Sequence, residues 1–236
     1  MKISIAIPTW ESRGRGVEFL DDLLRTISVQ TFKDYDVVIS DHSVNDDIKN
    51  YCQVNEYRLP IIFYRNQFKR GNHASNTNQA IEWCRGDIIK VMFQDDFFYD
   101  DEALEKIHDA FDENTQWLVC GTNHTKDDGH SFYRDLYPEW NDGIINGINT
   151  ISSPSVLAAR RKVFDQIKFD DTLVMMMDCE FYYHTKKEFG DPVYYNDVLV
   201  TNRAHSNQIS SRFLASTQSQ EKLKTEIKYC KEKHLE

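Results

Sequence analysis

Between Lys2 and Cys120 the sequence alternates between two hydrophobic periods, and this alternation restricts the fold more than any other feature of the 236 residues. Lys2 to Pro8 alternates apolar with small or polar residues, as a strand does, and Pro8 stops it. Phe19, Leu20, Leu23, Leu24 and Ile27 then mark an apolar stripe at helical spacing. The pattern goes on to predict strands over Tyr35 to Asp41 and Ile61 to Tyr64, then a helix over Ala74 to Cys84 closed by Gly86. A strand from Ile88 to Asp96, a helix over Glu102 to Phe111 and a strand over Trp117 to Cys120 follow. Strands separated by helices cannot pair as hairpins. They are expected to run parallel, with right-handed crossovers, in an α/β sheet flanked by helices.

The segment Ile88-Ile89-Lys90-Val91-Met92-Phe93-Gln94-Asp95-Asp96 is an apolar run that ends in two adjacent carboxylates. Such a run delivers charge to the carboxyl edge of a sheet, which is where open α/β sheets bind ligands. Adjacent carboxylates repel unless a cation, an amide donor or a shared proton relieves them. A divalent metal on a diphosphate would do so; a solvated acidic turn is the plainer use of the same residues. Two other strand ends are polar, Pro8-Thr9-Trp10-Glu11 and Asp41-His42-Ser43, and a parallel sheet would set all three along one crevice.

Composition narrows the function classes. Apolar residues make up 40% of the chain, enough for one large α/β domain. Cys52, Cys84, Cys120, Cys179 and Cys230 are odd in number and lie in no CxxC spacing, which suits free thiols in a reducing compartment, the cytoplasm. A formal charge of −10 argues against nucleic acid as a partner. No apolar run is long enough for a transmembrane segment, and Met1 leads straight into a strand rather than a signal peptide.

The second half has a different texture. Residues 127–149, rich in Gly, Asp, Asn and aromatics, read as a long functional loop with at most one strand, in which Tyr133, Tyr137 and Trp140 face an acceptor or serve as core and lid. Short and longer helices are predicted over Arg160 to Ile167 and Asp178 to Phe189, the latter closed by Gly190, and a strand over Val193 to Val200. The tail from Phe213 to His234 reads as an amphipathic surface helix that packs or contacts a partner.

The order of these motifs resembles family 2 glycosyltransferases. Ile-Pro-Thr-Trp after the first strand, Ile-Ser-Asp-His-Ser after the second, Arg-Asn with Gly71 and Asn78, and Phe-Gln-Asp-Asp after the fourth are similar to that family's nucleotide-sugar half. Downstream, Ser152-Ser153-Pro154-Ser155, Arg160-Arg161-Lys162-Val163-Phe164, Phe169-Asp170-Asp171, Met177-Asp178-Cys179-Glu180 and Arg203-Ala204-His205 through Ser210 are similar to its acceptor half. The resemblance implies a GT-A (Rossmann-like nucleotide-diphospho-sugar transferase) fold over residues 1–212, with a mostly parallel central sheet. Residues 1–122 would form the nucleotide-sugar half, residues 123–212 the acceptor half, and residues 213–236 the appended helix.

The same resemblance assigns roles. Pro8, Thr9 and Glu11 would form the floor of the nucleotide pocket, Asp41 would accept a hydrogen bond from the base, and Asn78 would belong to the donor site. Arg65 and Arg70 would face the diphosphate. Asp96 would ligate Mn²⁺ or Mg²⁺, Asp95 would assist, and His205 would complete the ligand set. Gln94 stands where an acid is usual; it could bond a ribose hydroxyl but adds no charge. Asp178 would be the catalytic base, with Glu180 as second choice and a helix cap as its plainer use. Val174 to Met177 would line a sugar pocket or pack in the core. The implied activity is metal-dependent, inverting, hexosyltransferase-type transfer from a nucleoside-diphosphate sugar, UDP-sugar favoured, to a hydroxyl acceptor such as a glycan. A nucleotidyltransferase-like enzyme, suggested by Arg13-Gly14-Arg15-Gly16, and a non-catalytic nucleotide-sugar-binding module remain the alternatives.

Overall fold

The structure, a computed structural model, describes residues 1–126, 128–206, 208 and 217–235. Strand β1 spans Ile3–Thr9, β2 Tyr35–Asp41, β3 Ile61–Arg65 and β4 Ile88–Val91. These four pair in parallel in the spatial order β3-β2-β1-β4. The apolar alternation of β1 and β2 is buried on both faces, because helices cover the sheet on each side. Helix α1, Gly16–Ser28, lays Phe19, Leu20, Leu23, Leu24 and Ile27 on it. Gly16 is obligatory at the start of α1: a Cβ there would lie 2.4 Å from the carbonyl oxygen of Trp10. Helix α2, Asp47–Asn55, escapes the periodicity reading because it buries only Ile48 and Cys52. Helix α3, His73–Trp83, is capped by Asn72, whose side chain accepts from the Ser75 amide.

The fourth strand stops earlier than its apolar run. The run reaches Met92 and Phe93, but the Phe93 amide bonds the Ser155 hydroxyl instead of a neighbouring strand, and Asp96 N–H closes a turn onto the Phe93 carbonyl. The two carboxylates therefore sit on a turn beyond the sheet edge.

The remaining elements are β5 (Phe97–Phe98), α4 (Ala103–Asp109), β6 (Trp117–Thr125), β7 (Arg134–Leu136), β8 (Leu157–Arg160), α5 (Arg161–Gln166), α6 (Met177–Phe189), β9 (Val193–Arg203) and α7 (Thr217–Leu235). They extend the sheet to the order β3-β2-β1-β4-β8-β6-β9-β5, with β7 on β6. Here the sheet turns mixed: β8 is antiparallel to both β4 and β6, while β9 is parallel to β6. The long loop of residues 127–149 carries β7 and a 3-10 turn at Asp142–Asn146. The predicted tail helix is described over Thr217–Leu235; Phe213 and Leu214 lie outside the described residues, as do Asn207, Ile209 and Ser210. Among the described residues, no helix is long and apolar enough to cross a membrane, and all five cysteines are free and buried.

Candidate active site

A cavity of about 790 Å³ opens at the carboxyl ends of β1, β2 and β4. Pro8, Thr9, Glu11, Arg70, Gln94, Asp95, Asp96, Asp178 and His205 all line it. The register explains the floor: β1 and β2 pair Thr9 with Asp41, and Met92 N–H bonds the Ala6 carbonyl, which brings the turn after β4 level with the end of β1.

Asp41 does not reach the cavity. Its carboxylate is fully buried, accepting from the Thr9 hydroxyl (3.2 Å), the Ser43 amide (3.0 Å) and the Ser43 hydroxyl (2.6 Å). Burial pushes its pKa up against the pull of those bonds and of the Arg65 charge. It fixes the loop that presents His42, whose Nδ1 accepts from Gly71 N–H so that Nε2 must donate to the Phe68 carbonyl. Burial depresses the pKa of His42 to about 4, so the ring stays neutral.

Arg65 likewise lies outside the cavity lining. Its guanidinium lies 3.2 Å from Asp41, donates to the Ser43 carbonyl and pairs with Asp46. Arg70 remains the predicted arginine at the cavity. Asn78 is also spent: its side chain exchanges two hydrogen bonds with the backbone of Phe169.

Gln94 lines the cavity with both of its N–H donors already engaged, leaving only a second lone pair on its oxygen. Its oxygen accepts from the Trp10 amide (2.6 Å), and its nitrogen donates to the Trp10 carbonyl and the Ser12 hydroxyl (3.0 Å each). An amide can donate and accept at once, which a carboxylate cannot, so Gln in this place pins the β1–α1 loop to the acidic turn.

Asp95 and Asp96 diverge in environment. Asp95 Oδ2 accepts from His205 Nε2 at 2.9 Å, and the His205 ring rests on Phe19. Asp96 is only 4% exposed; its Oδ1 accepts from the Arg203 amide and its Oδ2 is 3.4 Å from the Ser153 hydroxyl. Burial first, and the neighbouring Asp95 charge second, raise its pKa to about 7. Two carboxylates and an imidazole are donors of the kind a divalent cation takes, and such an ion would relieve the carboxylate repulsion, but their donor atoms are not gathered within 4.8 Å of one another here.

Asp178 stands in the first turn of α6, at its second residue, so it is not the cap. Oδ1 accepts from the Cys179 amide and Oδ2 from Asn149 Nδ2, both at 2.8 Å. Burial raises its pKa to about 6 against those bonds. Glu180 faces away from the cavity, toward α7. Val174, Met175 and Met177 line the cavity, while Met176 is core.

Several residues that shape the site gave no sequence signal. Glu226 of α7 accepts the amides of Val174 (3.1 Å), Met175 (2.8 Å) and Met176 (3.0 Å), anchoring the segment that leads into α6. Asn149 holds Asp178, and it also accepts from the Ser152 amide while Ser152 sits at φ +110°. Lys90, fully buried in β4, donates to the carbonyls of Val91, Ser155 and Leu157, which fixes the segment carrying Ser153 and Ser155 beside Asp96. The one cue available was a lysine inside an apolar run. On the opposite wall His124, Tyr133 and Arg134 line the cavity, whereas Tyr137 and Trp140 line a separate shallow groove.

A helix-flanked sheet of this order, with an acidic turn after its fourth strand facing a cleft, is the GT-A fold. The chain belongs to glycosyl transferase family 2, whose model matches residues 4–184.

Among solved structures, S. aureus TarS in complex with UDP-GlcNAc is similar over 96% of this chain and 66% of that one, with a TM-score of 0.70 and 18% identity. Mannosyltransferase PcManGT from Pyrobaculum calidifontis, solved with GDP-Man and Mn²⁺, is similar over 85% and 56%, with a TM-score of 0.61 and 14% identity. At these identities the likeness shows the fold. The GalNAc(5)-diNAcBac-PP-undecaprenol beta-1,3-glucosyltransferase of Campylobacter jejuni is 25% identical over 96 residues, 40% of this chain and 30% of that protein. An uncharacterized protein of Sinorhizobium fredii is 23% identical over 164 residues, 66% of this chain and 17% of that protein. The chain thus spans well under half the length of these curated relatives.

Proposed function

We propose that this protein transfers a hexose-type sugar from a nucleoside-diphosphate sugar, with a UDP-sugar the favoured donor, to a hydroxyl of a glycan acceptor, inverting the anomeric centre. The observation that carries the reading is that Asp178, a carboxyl tuned to about 6, lines the same cavity as the Asp95–Asp96 turn. At neutral pH Asp178 is ionised yet basic enough to take the acceptor proton as the new C–O bond forms. Asn149 and the Cys179 amide hold its two oxygens in place, and Glu226 holds the segment before it. Arg70 at the cavity supplies positive charge toward the diphosphate. Asp96, with Asp95 and His205, would hold Mn²⁺ or Mg²⁺, which when bound neutralises charge on the departing diphosphate. That UDP-GlcNAc and GDP-Man with Mn²⁺ accompany structures of the same fold supports a nucleotide-sugar donor and a metal.

The nucleotidyltransferase alternative is disfavoured by the loop after β1. The amides of Gly14, Arg15 and Gly16 donate to the carbonyls of Glu11 and Ser12, and Arg15 pairs with Glu18, so this loop folds on itself rather than cradling a triphosphate.

The test is a thermal-shift screen of nucleotide sugars with and without Mn²⁺, followed by turnover of the best donor. One donor class is expected to raise Tm in a Mn²⁺-dependent way, and Asp96→Asn to abolish the Mn²⁺-dependent part. Asp178→Asn should keep that shift while turnover falls by roughly 10²–10⁴. Full turnover in Asp178→Asn, or release of pyrophosphate from a nucleoside triphosphate, would overturn the assignment.

A further inference from the structure

On α6, Glu180 and His184 are four residues apart and share one face of the helix. Glu180 lies two positions after Asp178, about 200° around the helix axis, so the two carboxylates face opposite ways. Against the Glu180 face lies the end of α7, which contributes His234. His234 Nε2 is 2.7 Å from Glu180 Oε1, and His184 Nδ1 is 3.8 Å from the same oxygen. The two imidazoles are tilted with centroids 5.0 Å apart, and donor atoms of all three side chains lie within 4.8 Å of one another. Among the described residues, this is the group of three or more His, Cys, Asp or Glu donors close enough to share one ion.

The electrostatics point the same way. Glu180 is fully buried, and its second oxygen, Oε2, is buried without a hydrogen-bond partner, an unmet demand that native interiors rarely leave. Lys233 Nζ lies 2.9 Å from Oε1, but it also lies 2.7 Å from Asp170, to which Tyr229 donates as well. Lys233 against Glu180 and Asp170 leaves one negative charge in the cluster. The side chain of His184 is 30% exposed, which opens a path from solvent, whereas that of His234 is 4% exposed.

We infer that Glu180, His184 and His234 form a second divalent-metal site, remote from the cavity, that clasps α7 to α6. Two imidazoles and one carboxylate are a borderline donor set that favours Zn²⁺, and its spectroscopic substitute Co²⁺, over Mg²⁺ or Ca²⁺. Bonds of about 2.0–2.1 Å would set the donors roughly 3.3 Å apart, within reach of modest side-chain rotation from the distances above. On entry the ion takes the place of the Lys233 ammonium on Glu180, and Lys233 keeps Asp170. His234 then presents Nε2 as a lone pair with its proton on Nδ1, and water completes the tetrahedron on the His184 side. The clasp bears on the cavity indirectly, because α7 also carries Glu226.

The experiment uses the full chain with Asp96→Asn, which removes the cavity's principal ligand from the count. After dialysis against Zn²⁺ and then metal-free buffer, one Zn²⁺ per chain is expected by elemental analysis, and Co²⁺ should give the intense visible bands of a tetrahedral site. Zn²⁺ at 100 times its Kd should raise Tm by roughly 5 °C or more. His184→Ala, on the exposed side and with little packing to lose, should weaken binding at least about tenfold with the circular dichroism unchanged. Lys233→Met should strengthen binding, since it removes the competitor for Glu180. Absence of retained Zn²⁺, octahedral Co²⁺ spectra, or equal affinity in His184→Ala and the parent would overturn the site and leave an ion-pair cluster. None of these readouts depends on glycosyl transfer, so this site and the proposed reaction can fail separately.

Discussion

The two walls of the cavity are built by different means. On the strand-edge wall, Thr9, His42 and the Gln94–Asp96 turn are placed by parallel register, with each polar group following its own buried strand. On the helix wall, Asp178 and the methionine segment are placed by side chains that reach across long separations: Asn149 to Asp178, and Glu226 to the amides of Val174 to Met176. A register-built wall distributes its load over many backbone hydrogen bonds and much buried apolar surface. A clamp-built wall concentrates it in a few charged or amide groups, so single substitutions should damage the second wall more than the first.

The largest effect is expected at Glu226. Removing a carboxylate that accepts three backbone amides should cost Glu226→Ala about 3 kcal/mol, a Tm fall of roughly 6–12 °C for a chain this size. Turnover should fall more than donor affinity, because the damaged segment leads into the helix of Asp178. A Glu226→Ala variant as stable as its parent would erase the distinction between the walls.

A smaller effect is expected at Gln94, a side-chain clamp on the strand-edge wall. Gln94→Glu sets a carboxylate against the Trp10 carbonyl and loses both donors, at a cost of about 2 kcal/mol measured by urea unfolding. If restoring an acid there proves neutral, the amide is not what holds the β1–α1 loop.

The smallest effect is one of sign. The pKa of Asp178 is raised from 3.8 to about 6, so the native state holds its proton more tightly than the unfolded chain does. That contribution is full below pH 4 and is lost as pH rises through about 6. Asp178→Asn should therefore be more stable than the parent at pH 7.5, by about 1–2 kcal/mol given that cleft water screens the group, with no difference at pH 4. A destabilised Asp178→Asn at pH 7.5 would show that the carboxylate is a structural clamp rather than a strained base.

These contrasts mirror what could be read from the residues. The parallel half was legible because apolar periodicity is local: the stripe of α1 and the runs of β1 and β2 carry their own burial pattern. Asp95 and Asp96 were legible as cavity residues because a charge at the end of an apolar run has few places to go, whereas Asp178 came only with the family resemblance. Asp41, Arg65 and Asn78 share that polar, strand-edge or helical setting and yet turn inward, onto Ser43, Asp46 and Phe169.

By itself, then, the sequence determined the order of elements, the helix-covered parallel half and the edge at which charge accumulates. Tertiary structure alone decided which polar side chains are spent on the protein and which are left for a ligand. The physical reason is range: burial patterns repeat every two to four residues, whereas the partners of Gln94, His205 and Glu180 lie 84, 110 and 54 residues away in sequence. No local pattern announces which of two carboxylates, Asp178 or Glu180, meets the cavity and which meets His234.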